Sequence, residues 1–198
     1  MPYDLEAITD GCYEGTTCLI NKLDIRDEKE LAAIESSITM ANISLLEQEP
    51  IAGTFDFKHY KAIHYFLFHD LFEWAGEIRR VYMAKKGTQF VEAKKIEEVA
   101  EALFSRIREA GYYVNNKRES FIHHITELYC DINMLHPFRE GNGRTERVFI
   151  TQLIRNAGYD IDFGDIDPDL LMIATIQAAN GVMDTIRHIF QVAIFKEQ

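Results

Sequence analysis

Residues 136 to 147 read HPFREGNGRTER. A histidine, three arginines, two glycines and an asparagine crowd into this one turn of an otherwise acidic chain. Pro137 has no amide hydrogen and disfavours helix at residue 136, so a preceding helix should end there. Gly141 and Gly143 permit left-handed or close-approach backbone. The next helix should begin near Asn142–Arg144. A glycine loop that opens a helix is an anion site, because free amides converge and the helix dipole adds partial positive charge. Arg144 and Arg147 are three apart and share a face of the first turn. Two guanidinium forks beside free amides suit a polyphosphate better than a lone carboxylate. Glu140 would repel phosphate unless a divalent cation intervened, and Mg²⁺ held by one carboxylate, phosphate oxygens and water fits. His136, at the mouth, is the natural acceptor for the proton of an attacking hydroxyl. Phe138 reads as the loop's anchor in the core.

These residues need helices to hold them, and most of the chain has helical periodicity. Residues 27–49 carry a helical apolar face that ends before Pro50. Residues 55–76 read as a long aromatic helix stopped by Gly76. Residues 77–93 differ: two β-like runs, IRRVYMA and TQFVE, flank KKG and predict a short hairpin. Helices follow over 93–112, 118–135 and 144–159. Another spans 167–181, with Asp167 as N-cap and Pro168 at the first helical position. A last one runs over 182–198. The expected fold is mainly α: a single helical domain of about seven helices with one short β-hairpin. A boundary near Pro50–Thr54 divides an N-terminal helical element (1–50) from the body (51–198).

The bulk numbers agree with one soluble domain. The chain has 198 residues, 47% of them hydrophobic, enough for a real core. A formal charge of −11 excludes a whole-surface grip on nucleic acid, which needs a basic face. No apolar run approaches a membrane span, and the acidic N-terminus does not resemble a signal peptide. Cys12, Cys18 and Cys130 have no metal spacing and read as reduced thiols, so a cytoplasmic location is expected. His123 and His124 point about 100° apart on a helix and cannot face one metal together.

HPFREGNGRTER resembles the signature of Fic domains at each fixed position, including the acid before the first glycine. Residues 59–79, which contain WAGEIR, are similar to the helix that leads into that family's flap; KKGTQF (85–90) is similar to the flap, and AANGVMD (178–184) to its adenine-contacting segment. The resemblance covers about residues 30 to 195. It implies transfer of AMP from ATP to a Ser, Thr or Tyr hydroxyl of a target protein or of the chain itself. His136 would then be the base and Glu140 the Mg²⁺ ligand. Gly141, Asn142, Gly143 and Arg144 would cradle the α- and β-phosphates, Arg147 the γ-phosphate, and Asn180 would contact adenine. The flap, Lys86, Gly87, Thr88, Gln89 and Phe90, would dock the target by strand addition. A phosphorylating relative carries Ala and Lys at the glycine positions, and this chain keeps both glycines. A homodimer is one possible assembly by analogy with relatives, and the sequence leaves the oligomeric state open.

Many such proteins restrain themselves with S/T-x-x-x-E-G/N on a helix whose Glu pairs with the second motif arginine. Here Ser37 to Asn42 fits that pattern except that Ala41 stands where Glu is expected. The expectation is therefore a restraint relieved at Ala41. The alternatives are the same scaffold with another nucleotide donor, or an idle nucleotide-binding module such as half of a toxin–antitoxin pair. Tyr82, Tyr112 and Tyr113 are candidate self-modification sites.

Overall fold

The computed structural model describes residues 9–85 and 88–196; Lys86 and Gly87 of the expected flap lie outside them. Helix α1 spans Glu28–Gln48 and starts where the Asp27 side chain accepts the Glu30 amide. Its buried face is Leu31, Glu35, Thr39, Asn42 and Leu46, a stripe with helical spacing. Helix α2 spans Phe57–Phe68, capped by Asp56, which accepts the His59 amide at 2.7 Å. It stops eight residues before Gly76, short of the long helix the sequence predicts. After Phe68 the chain turns, and the Leu71 carbonyl takes the Lys22 amide at 2.8 Å instead of a helical partner. The aromatic run fills this turn, with Phe72 and Trp74 stacked at 4.4 Å.

The flap is a smaller hairpin than the sequence predicts. Strand β1 is Ala84–Lys85 and β2 is Thr88–Gln89, antiparallel with Ala84 opposite Gln89. Beyond the bond from the Phe90 amide to the Met83 carbonyl at 3.3 Å, pairing stops, because Val81 and Val91 spend their carbonyls on Arg79 and the Val91 amide bonds Met134. Helices α3 (Ile96–Glu109), α4 (Arg118–Leu135), α5 (Asn142–Asn156), α6 (Pro168–Ala179) and α7 (Asp184–Ala193) follow. Asp167 caps α6 by accepting the amides of Asp169 and Leu170, with Pro168 at the first helical position as expected. The expected C-terminal helix breaks at Ile194. Ile194–Lys196 becomes β4 and pairs antiparallel with β3, Tyr159–Ile161, just after α5.

Helix α5 is the axis of the core and packs against α2 and α4. Its Phe149, Ile150, Leu153 and Ile154 are fully buried. Phe149 meets Tyr60 and Phe104 edge-on at 5.3 and 5.4 Å. Leu31 and Leu46 of α1 belong to the same cluster, so the N-terminal element shares one core with the body. The mainly α fold with a small hairpin is as expected. The second two-stranded ribbon is not.

Candidate active site

The motif occupies the corner between α4 and α5. His136 ends α4 in a left-handed conformation, φ 42° and ψ 59°. A non-glycine residue there is uncommon, although histidine is among the types that tolerate it. The imidazole Nδ1 lies 3.3 Å from the Asn133 carbonyl, and the ring stacks on Phe90 of the flap at 3.8 Å. Phe138 is fully buried against His64, ring to ring at 3.7 Å. Asn142 closes the loop on itself: Oδ1 accepts the Phe138 amide and Nδ2 donates to the Phe138 carbonyl, each at 2.9 Å.

His64 fixes the loop from below. Its Nδ1 accepts the Gly76 amide at 2.8 Å, so Nε2 carries the hydrogen and donates to the Glu140 carbonyl at 3.0 Å. Burial holds its pKa down at about 4, an effect that nearby Arg144 deepens and the Glu140 contact opposes. The ring stays neutral near pH 7. Gly141 adopts φ +79°, and a Cβ on it would stand 2.2 Å from the Phe68 ring. Glycine is needed there on both counts.

Around this loop the charges divide. The Glu140 carboxylate accepts the Gly141 amide at 2.8 Å and is half exposed. No group of three acidic, histidine or cysteine side chains forms a metal site among the described residues. A cation at Glu140 would therefore need phosphate oxygens and water to complete its shell, which suits Mg²⁺ and a nucleotide. Arg144 lies over the Phe68 ring at 4.8 Å, with Thr39 Oγ1 at 3.2 Å and an ion pair to Glu35 of α1. Burial raises the Glu35 pKa, with Arg144 pulling against it. Sequence reading did not find Glu35, because nothing local marks a partner 109 residues away.

A cleft of about 360 Å³ opens beside the loop. Gly143, Arg147 and His136 line it, with Thr88 and Phe90 of the flap on one side and Leu171, Met172, Thr175 and Ile176 of α6 opposite. Gln89 is exposed on β2. Tyr129, Asn133 and Glu146 also line the cleft, and sequence reading passed over all three. Glu146 is buried, and burial pushes its pKa well above the ordinary value, with Arg147 pulling against it. Its Oε1 has no hydrogen-bond partner among the described residues. Asn180 is not in the cleft wall. It ends α6, exposed, with Nδ2 turned back to the Ile176 carbonyl at 2.8 Å.

The restraint is expected at Ser37, Ala41 and Asn42 of α1. Ser37 and Ala41 are exposed on α1, and Ser37 Oγ donates to the Ala33 carbonyl at 3.0 Å. A glutamate at 41 would stand on this exposed face of α1. Asn42 is buried for another reason: its Nδ2 donates to the carbonyls of Phe66 and Leu67, each at 3.2 Å, and ties α1 to α2. The face of α1 that does meet the motif carries Glu35 and Thr39, and it meets Arg144.

A helical domain built around a glycine loop for anions, with a histidine at its edge and paired arginines behind, is the class that fold and site define. Comparison with known proteins is more specific: residues 54–154 match the Fic/DOC family. The chain is 34% identical over 182 residues to a Salmonella typhimurium protein named probable protein adenylyltransferase Fic, covering 92% of this chain and 90% of that one. A Sinorhizobium fredii protein named probable protein adenylyltransferase y4lH is 36% identical over 171 residues, 86% and 88% of the two chains. Among solved structures, BepC of Bartonella tribocorum with bound AMPPNP superposes with a TM-score of 0.91 at 26% identity, covering 96% of this chain and 98% of that one. A Bartonella quintana Fic domain with bound ADP gives 0.91 at 27% identity, covering 96% of each. The chain belongs to the Fic/DOC family.

Proposed function

We propose that the protein transfers AMP from ATP to a hydroxyl group of a protein. The observation that carries this reading is a single cleft lined by His136, Gly143 and Arg147, with the flap along its edge. The acceptor oxygen attacks the α-phosphorus in line and a new P–O bond forms. The bond from that phosphorus to the bridging oxygen breaks, and pyrophosphate leaves with the oxygen. The hydroxyl proton passes to His136 Nε2. Asn133 supports this role, since a carbonyl near Nδ1 favours the tautomer with hydrogen on Nδ1 and a lone pair on Nε2. Free amides at the start of α5 and the Arg147 guanidinium would hold the phosphates. Mg²⁺ held at Glu140 would offset the negative charge of the triphosphate. The apolar wall of α6 is the surface on which a purine would lie, and Asn180 would reach adenine only by leaving the Ile176 carbonyl. Thr88, Gln89 and Phe90, together with Lys86 and Gly87 of the expected flap, would dock the acceptor as an added strand.

The names of the curated relatives and the AMPPNP in BepC support the same reading. No helix among the described residues is long and apolar enough to cross a membrane, and an ATP-consuming reaction fits the cytoplasm. The test is incubation with α-labelled ATP and Mg²⁺, alone and with a lysate, followed by mass spectrometry of labelled proteins. His136→Ala should keep nucleotide binding and lose transfer by about 10²–10⁴-fold. Persistent transfer would remove His136 from the role of base. Competition by unlabelled nucleotides checks the donor: GTP displacing the label as well as ATP would defeat the adenine reading.

A further inference from the structure

Arg79 is 4% exposed, and among the described residues it pairs with no carboxylate. Burial lowers its pKa from the usual value. A guanidinium without a counter-charge is costly to bury, so its donors must be well used. They are used on backbone carbonyls only. Nε donates to His136 O at 2.8 Å, Nη1 to Val81 O at 2.6 Å and Nη2 to Val91 O at 2.5 Å. The Arg79 amide adds a bond to Pro137 O at 2.9 Å.

The four acceptors fall into two groups. His136 and Pro137 are the first residues of the motif loop. Val81 and Val91 are the stems on either side of the hairpin. One side chain thus holds both stems of the flap and the backbone of the histidine. Two other contacts run in parallel: Phe90 stacks on the imidazole, and the Val91 amide bonds Met134 O at 3.1 Å. Neither can replace the planar fork, which fixes three carbonyls around one centre.

We propose that Arg79 is a positioning residue that sets the register of the flap against His136. An acceptor docked along the flap then presents its hydroxyl to Nε2 of that histidine. The proposal rests on the adenylyltransferase reading above. Water needs no flap, so hydrolysis of ATP to AMP and pyrophosphate at the same site serves as an internal reference.

The experiment uses the full chain, α-labelled ATP and a mixture of extended synthetic peptides containing Ser, Thr or Tyr. It reads the ratio of peptide-bound AMP to free AMP, alongside nucleotide affinity and the melting temperature. Arg79→Lys keeps the charge and loses the fork; Arg79→Gln loses both. Both variants should lower the ratio by about 10–100-fold, the scale of a misplacement near 1 Å, with nucleotide affinity unchanged. An unchanged ratio in Arg79→Lys overturns the proposal, as does a parallel fall of peptide labelling and hydrolysis. If both variants lose the native melting transition, Arg79 is a folding residue and the proposal fails. A wild-type chain that labels no peptide counts against the adenylyltransferase reading itself, before any variant is compared.

Discussion

Gly141→Ala tests the loop geometry most directly. The backbone at 141 has φ +79°, and an alanine there carries a left-handed penalty of about 1–2 kcal/mol. The new methyl would also stand 2.2 Å from Phe68 Cζ and 2.3 Å from Cε2. Phe68 is fully buried and carries Arg144 on its face, so it cannot swing away freely. Forcing it aside costs about 1–3 kcal/mol, as overpacking does elsewhere. The two penalties together come to roughly 2–5 kcal/mol, or about 4–20 °C of Tm for a chain of this size. Thermal and urea unfolding measure the total. A cycle with Phe68→Leu separates the parts, because leucine lacks the clashing ring carbons. In that background Gly141→Ala should cost only the backbone penalty, leaving a coupling of about 1–3 kcal/mol. A Tm within about 2 °C of wild type would refute the argument. So would strictly additive single and double variants, since the clash would then be absent.

Two further outcomes follow from the site. Ala41→Glu should leave both AMP transfer and stability almost unchanged, within about 0.5 kcal/mol, because its side chain faces solvent; a strong loss of labelling would restore the expected restraint. Lowering the pH should expose the neutral His64. The unfolded chain takes up a proton below 6.5 while the folded ring stays neutral to about 4. Stability attributable to this residue is full above 6.5 and falls by roughly 1.4 kcal/mol per pH unit below it. Urea unfolding at several pH values should show a shallower acid dependence in His64→Gln than in wild type, and parallel curves would remove His64 from that role.

What could be read from the sequence was local. The break at Pro137, the helix start at Asn142 and the Asp167–Pro168 cap each depend on a few neighbouring residues, and each stands where the residues place it. The buried anchor at Phe138 was legible for the same reason. The failures have a different origin. Residues 69–76 keep a helical apolar pattern, yet the Lys22 amide captures the Leu71 carbonyl, a contact 49 positions away (71 − 22). The hairpin is short because an arginine side chain competes for its carbonyls. Strands β3 and β4 are three residues each and find one another across α6 and α7, so neither declares itself alone. At the site, the motif was plain, but its supports were not. Glu35, Arg79 and Tyr129 become functional candidates only once distant segments meet. The pattern at Ser37–Asn42 spans an exposed and a buried position, Ala41 and Asn42, because adjacent residues face about 100° apart on a helix.

The left-handed backbone at His136 means that one position must both turn the chain and receive the proton. Selection for folding and selection for chemistry therefore act on a single side chain. A β-branched residue would suit neither, and alanine would lose the imidazole while keeping the strained turn. Asparagine tolerates this backbone best among non-glycine residues. Chains that abandon the chemistry but keep the fold should accordingly drift toward asparagine or glycine at this corner. His136→Asn is also the inactive form least confounded by misfolding.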